Sequence, residues 1–287
     1  MPPLTRARAH HKFPDFVPDA SSEASPLALR QPQRTGRHTK LLDWIILNPG
    51  TGAAPHDETD PINQLFRLLF EESDYRYHLR LRRSCPGEAP HTEWLMLAWN
   101  SADLRAKFIN SPHYQYFIEI LTTWASDRSV QVSMIDLTQS RGAFTGGAFW
   151  STQYIGPVEY YELMAVYFPE SLTGTQIQKL DKITPYNLGV LIGTDVYPLA
   201  GLTDWQHGWL DQPVLFQGQR ARCLVYLMRW EDTKREREYK RCRFTIEGQD
   251  VDYWGEFVTP LKECGMLGYE SQHASFLRNR LGSVLGA

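Results

Sequence analysis

One pattern occurs twice in this 287-residue chain, and it constrains the fold more than any other feature of the sequence. In each copy an apolar run of strand length ends in tryptophan, at Trp99 and at Trp230. A residue able to cap a helix follows two positions later, at Ser101 in the first copy and at Asp232 in the second. Each copy therefore predicts a strand that leads directly into a helix.

The helices that follow the two tryptophans can also be aligned. Phe117 and Phe257 occupy matching positions once an excess of nine residues between Trp230 and Phe257 is removed, and the leucines four positions further on keep the same excess. A single insertion of nine residues in the second copy explains both offsets. The sequence therefore predicts two diverged copies of one unit.

The elements around this pattern have the order βαββαβ in the first half. Period-two alternation or a short apolar run predicts a strand, and apolar residues at helical spacing predict a helix. Pro112 is expected to divide the second helix into two pieces. The predicted strands are 41–47, 75–83, 92–99 and 130–137, and the predicted helices are 62–70 and 101–125.

The second half repeats this order. Its predicted strands are 160–168, 190–199, 222–230 and 267–276. A helix is predicted over 175–188, interrupted by Pro185, and a long helical region over 232–264 with an extra loop around Gly248. The Trp-rich segment 204–209 falls in the long connection between the second and third strands, where it forms either a lid or pocket rim, or a packed Ω-loop.

The repeat predicts an α+β fold. Each unit alone would leave one face of a four-stranded sheet exposed, and stacking the two sheets face to face removes that apolar surface from water. We therefore expect two βαββαβ halves that form an intramolecular, pseudo-dimeric α/β barrel. The expected segments are a basic disordered tail (1–40), a first domain (41–139), a linker (140–157), a second domain (158–277) and a C-terminal tail (278–287).

Composition argues against several kinds of partner. A formal net charge of -3 and a pI near 6.3 leave no basic field for nucleic acid. No apolar run approaches the roughly 20 residues that cross a membrane. The four cysteines form no CxxC pair and share no spacing with histidines, which argues against a zinc site or a disulfide scaffold and favours a reducing compartment.

The first forty residues are basic, and prolines at positions 14, 18, 26 and 32 interrupt them. These prolines prevent the long amphipathic helix of a mitochondrial presequence, and no secretory apolar core is present. We therefore expect a disordered tail on a cytoplasmic protein, with mitochondrial targeting as the alternative.

The first copy of the repeat carries a longer signature. Trp99-Asn100-Ser101-Ala102-Asp103 is followed by Phe108, by Ser111-Pro112-His113 and by Phe117. This segment resembles the strand-to-helix signature of the antibiotic-biosynthesis monooxygenase (ABM) family. The resemblance covers residues 41–139, and it extends to 158–277 only by internal analogy.

The second half matches that signature less closely. It retains Trp230, Asp232 and Phe257, but has Val-Asp-Tyr at 251–253 near the place of the Ser-Pro-His. The resemblance implies ferredoxin-like halves paired as a dimeric α/β barrel, and oxidation of small aromatic or polyketide substrates without metal or flavin. Related barrels degrade heme, decarboxylate or cyclise their substrates, so the fold does not determine the reaction.

A cofactor-free oxygenase needs a base, hydrogen-bond donors and aromatic walls. His113, within the resemblance, is the first candidate base, and His78, on the polar face of a predicted strand, is the second. Each has a structural alternative, since His113 can simply fill the bend at Pro112 and His78 can be a solvated strand residue. The candidate substrate-binding residues, which can equally be core, are Tyr77, Arg80, Trp94, Trp99, Trp205 and His207.

We therefore expect a small-molecule enzyme, either a cofactor-independent monooxygenase or a related acid/base catalyst, without metal or cofactor. It is expected to be a monomer with an internal pseudo-dimer, and further oligomerisation stays open. The alternatives are a non-enzymatic ligand-binding or stress-related barrel and a heme-binding barrel. His273 is expected to be structural, and the basic run 234–243 is expected to form a solvated helix face.

Several other chemistries lack their signatures. The sequence has no GxGxxG after a strand, no GxxxxGK[ST], no HExxH and no GxSxG. Dinucleotide binding, P-loop chemistry, zincin proteolysis and nucleophile-elbow hydrolysis are therefore not indicated.

Overall fold

The computed structural model describes residues 41–49, 77–82, 93–99, 101–137, 159–185, 201–246 and 249–276. The predicted tails and linker, the predicted helix 62–70 and the predicted strand 190–199 lie outside these residues. The domain boundaries therefore stay predictions. No helix in the described part of the chain is long and apolar enough to cross a membrane.

The described elements of the first half occur in the predicted order, and the second half contains several strands that were not predicted. The first half contains β1 (Leu41–Pro49), β2 (Tyr77–Arg82), β3 (Glu93–Trp99), α1 (Ala102–Ile109), α2 (Pro112–Trp124) and β4 (Ala125–Asp136). The second half contains β5 (Glu159–Pro169), α3 (Gly174–Leu180), β6 (Leu202–Leu210), β7 (Val214–Phe216), β8 (Gln219–Trp230), α4 (Thr233–Arg241), β9 (Arg243–Ile246), β10 (Gln249–Asp252), α5 (Tyr253–Glu263) and β11 (Gly268–Phe276).

The main strands pair around a closed ring. Their order is β5-β11-β2-β3-β1-β4-β6-β8, and β8 pairs back with β5, while short β7 extends the end of β8. All of these pairs are antiparallel. The four main strands of each half have the same spatial order: the fourth strand along the chain lies beside the first, the first beside the third, and the third beside the second. This order is β4-β1-β3-β2 in the first half and β11-β5-β8-β6 in the second. The predicted α/β barrel of two ferredoxin-like halves is therefore confirmed.

The inside of the ring is a core shared by both halves. Side chains on a strand alternate between the two faces of a sheet, so each strand sends every second residue inward. The inward set is mostly apolar and comes from both halves, which ties them together by burial, and it also contains the buried polar side chains of Gln206 and Arg229. It includes Leu42, Trp44, Trp94 and Met96 from the first half, and Tyr161, Leu163, Val225 and Leu227 from the second.

The outer face of the sheet in each half is covered by helices. In the first half, Phe117 of α2 packs edge-on against Phe108 of α1, with ring centroids 5.9 Å apart. In the second half, Phe257 of α5 packs edge-on against Tyr226 of β8 at 5.0 Å. The two phenylalanines that the sequence aligned are therefore fully buried at matching places.

Each tryptophan of the repeat binds a carboxylate on the first strand of its half. Trp99 Nε1 donates to Asp43 Oδ2 at 2.8 Å, and Arg105 Nε of α1 donates to Asp43 Oδ1 at 2.7 Å. Trp230 Nε1 donates to Glu162 Oε2 at 3.1 Å, and that carboxylate also binds a cation of the following helix, as described below. The sequence repeat is thus a repeat of a buried polar contact.

The nine-residue excess of the second half is a β-hairpin. A loop around Gly248 was expected there, but β9 and β10 pair with each other between α4 and α5. In this pairing Arg243 lies opposite Asp252, and Ile246 lies opposite Gln249. The helical region predicted over 232–264 with an interrupting loop is therefore two helices, and the interruption between them is this hairpin. Residues 247 and 248 lie outside the described residues.

The Trp-rich segment 204–209 is not a loop. It forms β6 and pairs with β8 over most of its length, so the prediction of a lid or Ω-loop was wrong. Gly208 of this strand lies where the halves meet, and a Cβ there would approach the Asp136 carbonyl oxygen to 2.3 Å. Glycine and polar residues are poor strand formers, which hid this strand from sequence patterns.

We expect Arg105→Met to lower the free energy of unfolding by about 2 kcal/mol, because it leaves the buried Asp43 carboxyl with one donor fewer. Burial already raises the pKa of Asp43 against the lowering effect of Arg105. Urea unfolding at neutral pH measures the change. Lys107→Met, on an exposed site of the same helix, is the matched control and should change stability by less than about 0.5 kcal/mol. Equal effects of the two substitutions would contradict the role of Arg105.

Candidate functional site

The two first-half tryptophans proposed as pocket walls lie on opposite faces of the sheet. Trp94 points into the barrel, where it meets Trp44 edge-on with ring centroids 5.6 Å apart. Trp99 lies on the helix side and binds Asp43. The structure therefore does not bring them into one pocket.

The predicted base His113 does not lie beside the barrel-side tryptophans. His113 is exposed at the second residue of α2, directly after Pro112, on the far side of the sheet from Trp94. For Tyr77, His78 and Arg80 only the backbone pairing with β3 is described, and their side chains lie outside the described residues. The roles proposed for these residues stay predictions.

Trp205 and His207 are together, as the sequence suggested, but inside the helix-side core of the second half. Their rings stack at 5.5 Å with an interplanar angle of 12°, and His207 also lies against Tyr226 at 5.3 Å. Burial lowers the pKa of His207 to about 4, against a weaker raising effect of a hydrogen bond to the backbone of Asp181. His207 is therefore a neutral imidazole at pH 7.

The densest group of ionisable side chains lies elsewhere in the second half, between α4 and the sheet. Glu162 of β5 pairs with His273 of β11 in antiparallel register, which places both on the helix side. Glu236 and Lys240 stand one turn apart on α4 and point down onto this pair. We call these four residues the α4 cluster.

The α4 cluster is joined by short contacts. Lys240 Nζ lies 2.6 Å from Glu162 Oε1 and 2.7 Å from Glu236 Oε1. His273 Nε2 lies 3.0 Å from Glu236 Oε1. Ser271 Oγ donates to Glu162 Oε1 at 2.6 Å. One ammonium thus bridges two carboxylates, and one of those carboxylates also holds an imidazole.

The electrostatics keep both ends of this network charged. Burial opposes ionisation of Glu236, but the hydrogen bond with His273 and the charge of Lys240 prevail and lower its pKa to about 2. Burial likewise opposes the charge on Lys240, and the two glutamates outweigh it and raise its pKa. An ionised carboxylate only accepts hydrogen bonds, so Nε2 of His273 carries a hydrogen and the lone pair of a neutral ring lies on Nδ1.

The α4 cluster reaches the protein surface. The side chains of His273 and Lys240 are 15% and 23% exposed, whereas Glu162 is fully buried. The His273 ring stacks on Tyr160 at 5.5 Å with an interplanar angle of 4°, and Lys240 Nζ lies 4.8 Å from the centroid of the Trp254 ring. A small molecule approaching this edge would meet an imidazole held by a carboxylate, flanked by aromatic rings.

Sequence reasoning missed most of the α4 cluster. His273 was expected to be structural, and the run 234–243 was expected to be a solvated helix face, yet Glu236 and Tyr239 are buried. That expectation for the run was wrong on one side of the helix. The available signal was a charged residue inside an apolar strand, since Glu162 interrupts the run 160–168 as Asp43 interrupts 41–47.

Comparisons with protein-family models and with curated proteins find no match. Among solved structures, an anthrone oxidase-like protein is similar over 85% of this chain and 94% of its own, with a TM-score of 0.50 and 10% identity. A candidate monooxygenase from Fusobacterium nucleatum is similar over 84% of this chain and 94% of its own, with a TM-score of 0.51 and 9% identity. At these identities the similarity concerns the fold, and it extends over both halves.

We expect protonation of His207 to destabilise the protein in acid. The imidazole of His207 takes up a proton below about pH 6.5 in the unfolded chain, but only near pH 4 in the folded chain. The contribution of this group to the free energy of unfolding is therefore complete above pH 6.5 and decreases as the pH falls toward 4. The loss assigned to His207 is about 3 kcal/mol between pH 7.5 and pH 4. Urea unfolding of the wild type and of His207→Gln at both pH values measures it.

His113→Gln is the control for that experiment, because His113 is exposed. The free energy of unfolding of His113→Gln should fall between the two pH values by the same amount as that of the wild type. A wild type and His207→Gln that lose equal amounts of free energy would show that His207 is not the titrating group.

Proposed function

We propose that this chain is a small-molecule enzyme that uses acid/base chemistry on an aromatic or polyketide-like substrate, with His273 as the proton acceptor. The observation that carries the proposal is the contact between His273 Nε2 and the ionised Glu236, at a place where His273 is partly open to solvent. A carboxylate that holds one ring nitrogen orients the imidazole and stabilises the imidazolium formed when the other nitrogen takes a proton.

The proposed reaction is a cofactor-independent oxygenation. His273 Nδ1 removes a proton from an activated methylene or phenol, and Glu236 stabilises the resulting imidazolium. The substrate anion reacts with O2 to give a peroxide anion, which takes the proton back from the imidazolium of His273. The resulting hydroperoxide loses water to leave a carbonyl. One oxygen atom of O2 enters the product and the other leaves as water, so the substrate is oxidised and O2 is the oxidant.

The comparison between halves supports placing the site in the second half. Asp43 in the first half meets one indole and one cation, and this is sufficient to hold β1, β3 and α1 together. Glu162 meets the same two kinds of partner and, in addition, the hydroxyl of Ser271, while Glu236 and His273 extend the network. We infer that the first half is a scaffold and that the chain is a monomer with an internal pseudo-dimer.

The names of the solved structures with the same fold agree with this proposal. One is described as anthrone oxidase-like and another as a candidate monooxygenase. An anthrone carries an activated methylene beside aromatic rings, which is the type of group that the proposed step deprotonates. This agreement guides the choice of substrates for a test.

The test is O2 uptake by the purified full chain with a panel of anthrones and polyhydroxylated aromatic compounds. We expect turnover by the wild type, and a fall in kcat of at least about 100-fold in His273→Ala. Glu236→Gln should lower kcat less, because the ring loses its orienting charge but keeps its basic nitrogen. Unchanged far-UV circular dichroism would show that these variants fold.

His113→Ala is the discriminating variant, since His113 is the base favoured by the sequence. Activity that is lost in His113→Ala and kept in His273→Ala would contradict the second-half site and support the sequence-based prediction. No O2 uptake by the wild type with any member of the panel would contradict the oxygenase reaction.

A further inference from the structure

Three residues of the α4 cluster have the composition of a metal site. Glu162, Glu236 and His273 each offer one ligand atom, and these atoms all lie within 4.8 Å of one another. In the described part of the chain no other group of histidine, cysteine or carboxylate side chains has this arrangement. Two carboxylates and an imidazole suit divalent ions such as Zn²⁺, Co²⁺, Mn²⁺ and Fe²⁺.

The space between the two carboxylates already holds a positive charge. Lys240 Nζ lies within 2.7 Å of both carboxylates, so a cation fits between them. One ammonium leaves the two carboxylates with a net negative charge. A divalent ion in place of that ammonium would neutralise both, with His273 as a neutral ligand.

Folding of the second half does not require this surplus of acidic and imidazole groups. The corresponding place in the first half holds Asp43, Arg105 and the Trp99 indole, which form a complete set of partners. Glu236 and His273 have no part in that simpler arrangement. They give the second half a second carboxylate and an imidazole beside the shared ammonium, which is a set of metal-ligand groups that the corresponding place in the first half does not have.

We infer that Glu162, Glu236 and His273 form a binding site for a divalent transition-metal ion, which enters when Lys240 turns away from the two carboxylates. Ligand atoms about 2.1 Å from one ion lie at most about 4.2 Å apart, so the three side chains need to close by roughly half an ångström. Lys240 is able to leave because its side chain is 23% exposed at the end of α4.

This inference goes beyond the proposed function and does not depend on it for binding. One consequence does rest on the proposed function: an ion bound to Glu236 and His273 would occupy the pair that accepts the proton. The ion would then inhibit the oxygenation. Metal binding and turnover are measured separately, so either proposal can fail without the other.

The test is titration of the purified full chain with Co²⁺, followed by its visible absorption, and with Zn²⁺ as a competitor. Lys240→Met should bind Co²⁺ about 10-fold more tightly than the wild type, because the competing ammonium is gone. His273→Ala and Glu236→Gln should each weaken binding by at least about 10-fold. Glu119→Gln, at an exposed carboxylate on α2 of the first half, is the control and should leave binding unchanged.

The difference between variants is the readout, because the eight other histidines and the four cysteines of the chain offer other ligands. Tighter binding in Lys240→Met together with weaker binding in His273→Ala supports the site, whatever the enzyme activity. Equal Co²⁺ affinity in the wild type, Lys240→Met and His273→Ala would overturn the proposed site. The absence of Co²⁺ binding in both the wild type and Lys240→Met would also overturn it. A Zn²⁺-dependent rise in Tm that is lost in His273→Ala is the second measurement.

Discussion

A buried carboxylate on the first strand of each half is the interaction on which the rest of the structure depends. A carboxylate removed from water is costly unless donors surround it. The donors come from the tryptophan that ends the third strand and from a cation on the next helix, so one side chain fixes two strands and a helix. Asp43 plays this part in the first half and Glu162 in the second.

The barrel places these two anchors on the outside of one closed sheet. Its interior is filled mainly by apolar side chains from both halves, together with Gln206 and Arg229, so neither half could keep its inner face from water alone. The close approach at Gly208 shows how little room is left where the halves join. The outer layers are independent of each other, and there the second half was able to acquire a hairpin and additional polar groups.

The two halves differ in the polar groups around their anchors, and the proposed site rests on this difference. In the first half the anchor is complete with one carboxylate and one cation. In the second half the cation is shared between two carboxylates, and an imidazole joins them at the edge of the helix layer. Both proposals depend on this additional carboxylate and imidazole, which the first half lacks.

The sequence by itself determined the order of most elements, the division of the helix at Pro112, the caps at Ser101 and Asp232, and the matching of Trp99 with Trp230. These features are local, because periodicity and capping depend on residues a few positions apart. Only the tertiary structure decided that 204–209 is a strand, that the inserted residues form a hairpin, and which acidic residues meet. The α4 cluster joins Glu162, Glu236 and His273 from three distant segments, and their contacts exist only because β5 pairs with β11 under α4.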